Sequence, residues 1–397
     1  MAGASSQRLQ ALDTARGVAI ALMILSHTVK GLLTFPMLPD FAVVPVHLVT
    51  KFSSTLFIIV FGLSVAVAYL PRAGTHRWPE VRRGLWIRAL FILVSFKLLT
   101  VVQMFEHFDR EIIIETLLWK RFPDFAEILD FYTWAVLLLS LLLPMWKRLT
   151  LWQQLGTAWG LALLAMVLQQ FEFGGAWQIK ALLVEQRGAF TFGIFTRGSM
   201  VLFALAIGEW VWSDALRRDA RVKTLGTAAL VVGLSALGYF FVDHWDNLGN
   251  ITTRLAKNYG KHPPNEVFLL FSVGGALLVL GLVLKLDGAM DRVLWPLQML
   301  GRQSLFCFNA HLLILFLGFR WTLGLRHEVS YGQALALTLA NVVLCTTGAW
   351  GWERLKNARK VRHAHAHKEE ARAEEEEWQD RTEVVPIPVL VRDRDRF

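Results

Sequence analysis

Two residues near the start of the chain are of types that do chemistry, and their spacing puts them on one line. In ALDTARGVAIALMILSHTVKG, ten residues separate Arg16 from His27. Eleven helical steps of about 100° return to within roughly 20° of the start, about 16 Å further along the axis. Asp13 lies one turn before Arg16 on the same side. One stripe of a helix would thus carry an acid and a base at its edge and an imidazole deep along it. Imidazole, with an unperturbed pKa of about 6.5, is the natural general base near neutral pH. A two-ended substrate suits this spacing, with an anionic head on Arg16 and a reactive end at His27. A plainer arrangement fits as well: Asp13 and Arg16 pair as an interfacial anchor, and His27 hydrogen-bonds a neighbouring helix.

The elements that must hold these residues are membrane helices. Of the 397 residues, 54% are hydrophobic and only 18% are charged, against about 25% charged in soluble domains. The apolar residues fall in runs of roughly 18–22, the length that spans a hydrocarbon core about 30 Å thick. The sequence predicts an all-α polytopic integral membrane protein of ten spans, near 14–33, 53–70, 84–104, 126–144, 151–168, 190–212, 224–242, 266–284, 296–319 and 331–352. Arg302, Asn309 and His311 interrupt the ninth. The first is expected to be retained, because no small-residue cleavage site follows it. Sixteen Trp and 27 Phe suit interfaces and interhelical seams.

Alternate loops carry the bases: Arg72, Arg77, Arg82 and Arg83; Lys147 and Arg148; Arg217, Arg218, Arg221 and Lys223; Lys285 and Arg292. The positive-inside rule then places both termini in the cytoplasm. It also accounts for the net charge of +9 without nucleic acid. Residues 1–352 form the expected membrane domain. Residues 353–397 read as a charged, partly helical or disordered tail, in which three His at alternate positions do not share a face. No metal site is expected. Cys307 and Cys345, both in apolar runs, read as small buried hydrophobes.

Charged groups within spans are costly and so are candidates for function. Besides the first helix these are Arg88, Lys97, Asp130, Arg197, Arg302 and His311. Asp130, Glu172 or Glu209 are the expected partners of Lys97 or Arg197. Ser304 lies seven residues before His311, on nearly the same face. Asp130 and Tyr132, near the outer end of the fourth span, could bind sugar hydroxyls. Trp177, Trp245 and Tyr259 could stack on a glycan or simply anchor the interface.

The pattern Leu-Asp-x-x-Arg-Gly followed by His27 resembles the start of the transmembrane acyltransferase families. These are the acyltransferase-3 family, the periplasmic-glucan succinyltransferases within it, and the related heparan-α-glucosaminide acetyltransferases. FAEILDFYTWAVLLLSLLLP, KHPPNEVFLLFSVGGALLVLGL and LGRQSLFCFNAHLLIL are similar to later segments of those families, in the same order. The resemblance implies acyl transfer from cytoplasmic acyl-CoA to an extracytoplasmic carbohydrate or glycolipid, in a bacterial inner membrane. It implies His27 as the catalytic histidine, Arg16 as the motif arginine, and a basic cluster corresponding to Arg82, Arg83 and Arg88.

On this reading Arg16, Arg82, Arg83 and Arg88 hold the phosphates of acyl-CoA, which is a substrate; no bound cofactor is expected. His27 takes the acceptor's proton or, alternatively, is itself acylated. Ser304, Asn309, Arg302 and Lys97 are candidate oxyanion donors. His311 is a second proton carrier, an acceptor-binding group or a satisfied buried histidine. Two other classes remain open at this level: a proton-coupled secondary transporter using Asp130, His27 and His311 as a relay, and a scaffold. Oligomeric state is not legible.

Overall fold

A computed structural model describes residues 3–34, 44–122, 126–189, 191–286 and 291–383. Among these, ten helices are long and apolar enough to cross a membrane, and no strand is formed beyond one isolated bridge, Leu33–Val329. The all-α polytopic fold expected from the sequence is therefore present. The spanning helices are α1 (Gly3–Leu32), α3 (Phe52–Ala68), α4 (Trp78–Met104), α6 (Glu127–Trp146), α7 (Leu151–Gln169), α9 (Ile194–Trp212), α10 (Arg218–Asp243) and α12 (Glu266–Leu286). Two more are α14 (Ser304–Leu313), which widens into π-helix over Ile314–Thr322, and α15 (Tyr331–Glu383).

Several spans start earlier than hydropathy suggests. The third span, α4, begins at Trp78 and the seventh, α10, at Arg218. Basic residues end an apolar run in a hydropathy reading, but their long stems lie along apolar surface while the charges reach water. The outward faces are lipid-compatible: Leu90, Phe91, Val94 and Leu98 of α4, and Trp159, Leu163 and Met166 of α7, are all exposed. In water such a surface would not stay dispersed.

The predicted ninth span, 296–319, is not one helix. It divides at Gln303 into α13 (Asp291–Arg302) and α14. The first piece is amphipathic: Met299 and Leu300 are buried while Val293 and Trp295 are exposed. It packs along the N-terminal half of α1. The contact is backbone to backbone. A Cβ on Gly17 would lie 1.8 Å from the Leu297 carbonyl oxygen, and one on Gly301 would lie 1.8 Å from that of Asp13. Only glycine allows this approach.

The side on which α1 begins is called the near face, and the other the far face. The connections on the far face contain short helices: α2 (Val44–Val49), α5 (Arg110–Leu117), α8 (Trp177–Val184) and α11 (Leu248–Ala256). Part of the first far loop, residues 35–43, lies outside the described residues. The core is centred on α1, which packs against α3, α12, α13 and α14. Met1–Ala349 form one compact unit. A second unit, Trp350–Phe397, holds the C-terminal part of α15. The side chains of its His tract at 363–367 lie outside the described residues.

The α1–α13 crossing gives a direct test. Gly17→Ala and Gly301→Ala should each destabilise by at least about 1–3 kcal/mol through overpacking. Gly156→Ala on α7, where a Cβ meets nothing within 4 Å, should be neutral or stabilising by about 0.5–1 kcal/mol. Thermal unfolding in detergent ranks the three; equal behaviour would mean the crossing is not tight.

Candidate active site

The α1 stripe is realised. On the near side, Arg16 Nη1 lies 3.0 Å from Asp13 Oδ1 and donates at 3.2 Å to the Gly301 carbonyl, while Nη2 donates at 2.6 Å to Ser64 Oγ. Asp13 also faces Arg302, at 3.8 Å. Arg88 donates to the Tyr69 hydroxyl at 3.0 Å. These groups line a cavity of about 260 Å³. It runs along α6 past Leu143, Leu139, Val136 and Tyr132 to Ile128, a rise of about 22 Å. Its wall is mostly apolar. Tyr132 is buried, and its hydroxyl has no partner among the described residues.

A second cavity, of about 190 Å³, lies toward the far face and is lined by His27, Lys30, Lys51, Glu127, Asn258 and Lys261. Ile128 and Phe308 line both cavities.

His27 lines the far cavity and not the near one, and its partner His311 packs edge-on against Phe308, which lines both. Nδ1 of His27 is 3.0 Å from Nε2 of His311, a residue 284 positions away in the chain. His311 is fully buried, and its Nδ1 is 3.1 Å from the carbonyl oxygen of Cys307. A carbonyl only accepts, so His311 Nδ1 carries hydrogen, and in the neutral imidazole its Nε2 is the lone-pair nitrogen. His27 Nδ1 must then donate, which makes Nε2 the basic nitrogen of His27. The relay from the Cys307 carbonyl through two imidazoles fixes a tautomer in the manner of a carboxylate behind a catalytic histidine. Asn341, buried on α15, steadies it by donating to the His311 carbonyl at 3.2 Å and to Thr28 Oγ1 at 3.4 Å.

The remaining sequence candidates divide. Ser304 and Arg302 line the near cavity; Ser304 lies about 10 Å along α14 from His311. Asn309 donates instead to Ser95 at 3.1 Å. Lys97 donates to the Leu117 carbonyl at 2.6 Å and lies 3.3 Å from the centre of the Trp119 ring. Asp130 accepts from the Trp119 indole at 3.1 Å. Lys97, Asp130 and Asn309 line neither cavity, nor do Trp177, Trp245 and Tyr259. Arg82 stacks near Trp86 and Arg83 is exposed; neither lines either of these two cavities. Tyr132, expected among outer sugar-binding groups, faces the near cavity instead. Both cysteines are free and buried, as the sequence suggests.

Residues 8–242, more than half of the chain, match the family model of the heparan-α-glucosaminide N-acetyltransferase catalytic domain. The chain belongs to that family. Among curated proteins no match is found. The shared segment holds Asp13, Arg16, His27 and Arg88; His311, Arg302, Ser304 and Lys261 lie beyond it. Membership and the ten apolar helices make this an integral membrane protein of an acetyltransferase family.

Sequence reasoning missed several groups. Arg197 pairs with none of the expected carboxylates but with Glu185: Nε donates to Oε1 at 2.8 Å, both side chains fully buried. Arg197 Nη2 also donates to the Lys261 carbonyl at 2.8 Å, and His262 Nδ1 lies 2.8 Å from Glu185 Oε2. This ion pair therefore pins the loop that brings Lys261 to the far cavity. No local pattern announces it, because Glu185 sits in a loop far in sequence from His262. Lys30 was legible: it follows His27 by three residues on the same face.

Burial drives the Glu185 carboxyl upward, but Arg197 and His262 outweigh it and hold the group at about 2, below the usual 4.5. Burial, then Lys261, lowers His262 to about 4 from 6.5, against the pull of Glu185. Both groups bind fewer protons folded than unfolded, so both contributions are lost as pH falls. Melting temperature should decline from pH 6.5 toward 4, through His262 first, and His262→Asn should flatten that limb. Glu185→Gln, which strands a buried guanidinium, should destabilise by about 3–5 kcal/mol at pH 7. A pH-independent melting temperature across this window would contradict the assignment.

Proposed function

We propose that this protein transfers an acyl group, acetyl foremost, from cytoplasmic acyl-CoA to an extracytoplasmic carbohydrate or glycolipid. The observation that carries the reading is the His27–His311 relay, with His27 on the wall of the far cavity, which shares Ile128 and Phe308 with the near one. The matched family is named for N-acetyl transfer to a glucosaminide, which favours acetyl as the group and an amine as the acceptor.

The bases on the near-face loops favour that face as cytoplasmic, with both termini inside. The CoA phosphates would then meet Arg16, Arg88 and Arg302 at the near cavity's mouth. The uncharged amide arm would follow the apolar wall along α6, where the Tyr132 hydroxyl offers it a hydrogen bond. The thioester would arrive beside His27. The acceptor would reach His27 from the far cavity.

His27 Nε2 takes the proton of the acceptor N–H or O–H as its lone pair attacks the thioester carbonyl carbon. The tetrahedral oxyanion collapses, the C–S bond breaks, and the proton passes to the departing thiolate. The products are the acylated acceptor and free CoA thiol. His311 holds the His27 tautomer and shares the positive charge while the imidazolium exists. Ser26 and Ser54, which line the far cavity with His27, are further candidates for the oxyanion donor; Ser53, also on that wall, already donates to the Thr50 carbonyl at 2.7 Å. On the resemblance to the periplasmic-glucan succinyltransferases, the proposed location is a bacterial inner membrane; residues 1–352 are the proposed catalytic domain, with 353–397 as a cytoplasmic extension.

Thiol release from labelled acetyl-CoA by purified protein in nanodiscs, with glucosamine as acceptor, tests this. His27→Ala should lower kcat by about 10²–10⁴. His311→Gln should lower kcat with KM for acetyl-CoA unchanged, and Arg88→Gln should raise that KM about tenfold with kcat retained. Turnover in His27→Ala equal to wild type, or no acetyl-CoA binding by folded wild-type protein, would overturn the reading.

A further inference from the structure

The far cavity holds more positive charge than a neutral acceptor needs. Among the described residues that line it, Lys30, Lys51 and Lys261 are cations and Glu127 is acidic. Glu127 Oε1 faces Lys261 at 3.9 Å. Lys51 is 4% exposed and is held by neutral oxygens, the Ala256 carbonyl at 3.0 Å and Asn258 Oδ1 at 2.5 Å. Lys30 shares that Asn258 oxygen, at 3.5 Å. Two ammonium groups on one oxygen atom lie within about 6 Å of each other. Neither Lys30 nor Lys51 takes part in an ion pair among the described residues.

Bringing like charges together in a partly dehydrated cavity is unfavourable, and an anion that joins them stabilises the charged forms. Three separate chain segments are committed to the arrangement. Lys30 comes from α1, Lys51 from the start of α3, and Lys261 from the loop that the buried Glu185–Arg197 pair fixes through its carbonyl. Such convergence is a built feature rather than a scatter of surface lysines. It also sits beside the reactive group, since Lys30 follows His27 by three residues, a rise of about 4.5 Å. That distance is comparable to a sugar ring.

We infer that the far cavity is an anion subsite, in which Lys30, Lys51 and Lys261 hold a carboxylate or phosphate on the acceptor next to the group that His27 deprotonates. The inference rests on the acyltransferase reading for the cavity's role as acceptor side, but its binding can be measured without turnover. Asn258 positions Lys30 and Lys51, and Glu127 orients Lys261. The subsite selects acidic acceptors over neutral ones of the same size.

The test uses the full chain in nanodiscs and three amino sugars that share the amine: glucosamine, muramic acid and glucosamine 6-phosphate. Thermal stabilisation reports binding, and acetyl-CoA-dependent thiol release reports transfer. One or both acidic sugars should bind wild type at least about tenfold more tightly than glucosamine; which one separates carboxylate from phosphate. Lys51→Met should abolish the preference. Lys30→Gln, which removes a less buried charge, should reduce it about tenfold and serves where Lys51→Met does not fold. Lys257→Gln, an exposed neighbour of Asn258, should retain it.

Equal binding of all three sugars by wild type overturns the subsite, even with acetyl transfer intact. So does a loss of CoA binding, rather than of sugar preference, in Lys30→Gln, since the lysines would then be holding the donor's phosphates. Preference for acidic sugars without any transfer would retain the subsite and sink the acyltransferase reading alone.

Discussion

A hydrogen bond of 3.0 Å between two imidazoles holds the centre of this protein together. Its members come from the first and ninth spans, and each must arrive with the right nitrogen forward. His311 is oriented by the carbonyl one turn below it, a donor–acceptor choice that leaves no freedom in the tautomer. The helix that carries it is anchored to α1 and α15 by Asn341. The preceding segment, α13, is pressed onto α1 through Gly17 and Gly301. These contacts set where α14 starts, and so how deep His311 sits. A shift of one residue in that crossing would turn His311 by about 100° away from His27.

Around this centre the two cavities differ in character. The near cavity is long and largely apolar, with guanidinium groups at its mouth and Tyr132 on its wall. The far cavity is smaller and lined by three lysines and Glu127. Arginine offers a planar fork suited to phosphate, whereas lysine is a compact charge that adapts to several anions. A long uncharged arm with an anionic head fits the first, and a small polar group fits the second. Ile128 and Phe308 belong to the walls of both.

The spans were legible because the bilayer imposes a length and a composition on each of them. The line of Asp13, Arg16 and His27 was legible because helical spacing alone determines which side chains share a face. The break at Gln303 was not: Arg302, Asn309 and His311 signalled an interrupted run, but hydropathy averages across a break that a polar residue and a glycine contact create. The partner of Arg197 was hidden for another reason. Its carboxylate lies in a loop, where no periodicity links position to contact. The lysines of the far cavity come from three distant segments, and only Lys30 shared the stripe that spacing could reveal. Among the arginines of α4, spacing could not separate Arg88 in the cavity from Arg82 and Arg83 outside it, since topology alone places bases at that helix end.

The central claim is that donor and acceptor approach the imidazole pair from opposite faces. Cryo-electron microscopy of the protein in nanodiscs with a non-hydrolysable acetyl-CoA analogue tests it most directly. The account expects the phosphates beside Arg16 and Arg88, the arm running along Tyr132, and the acyl carbon beside Nε2 of His27. Phosphates seated among Lys30, Lys51 and Lys261, with the near cavity empty of the analogue, would contradict it.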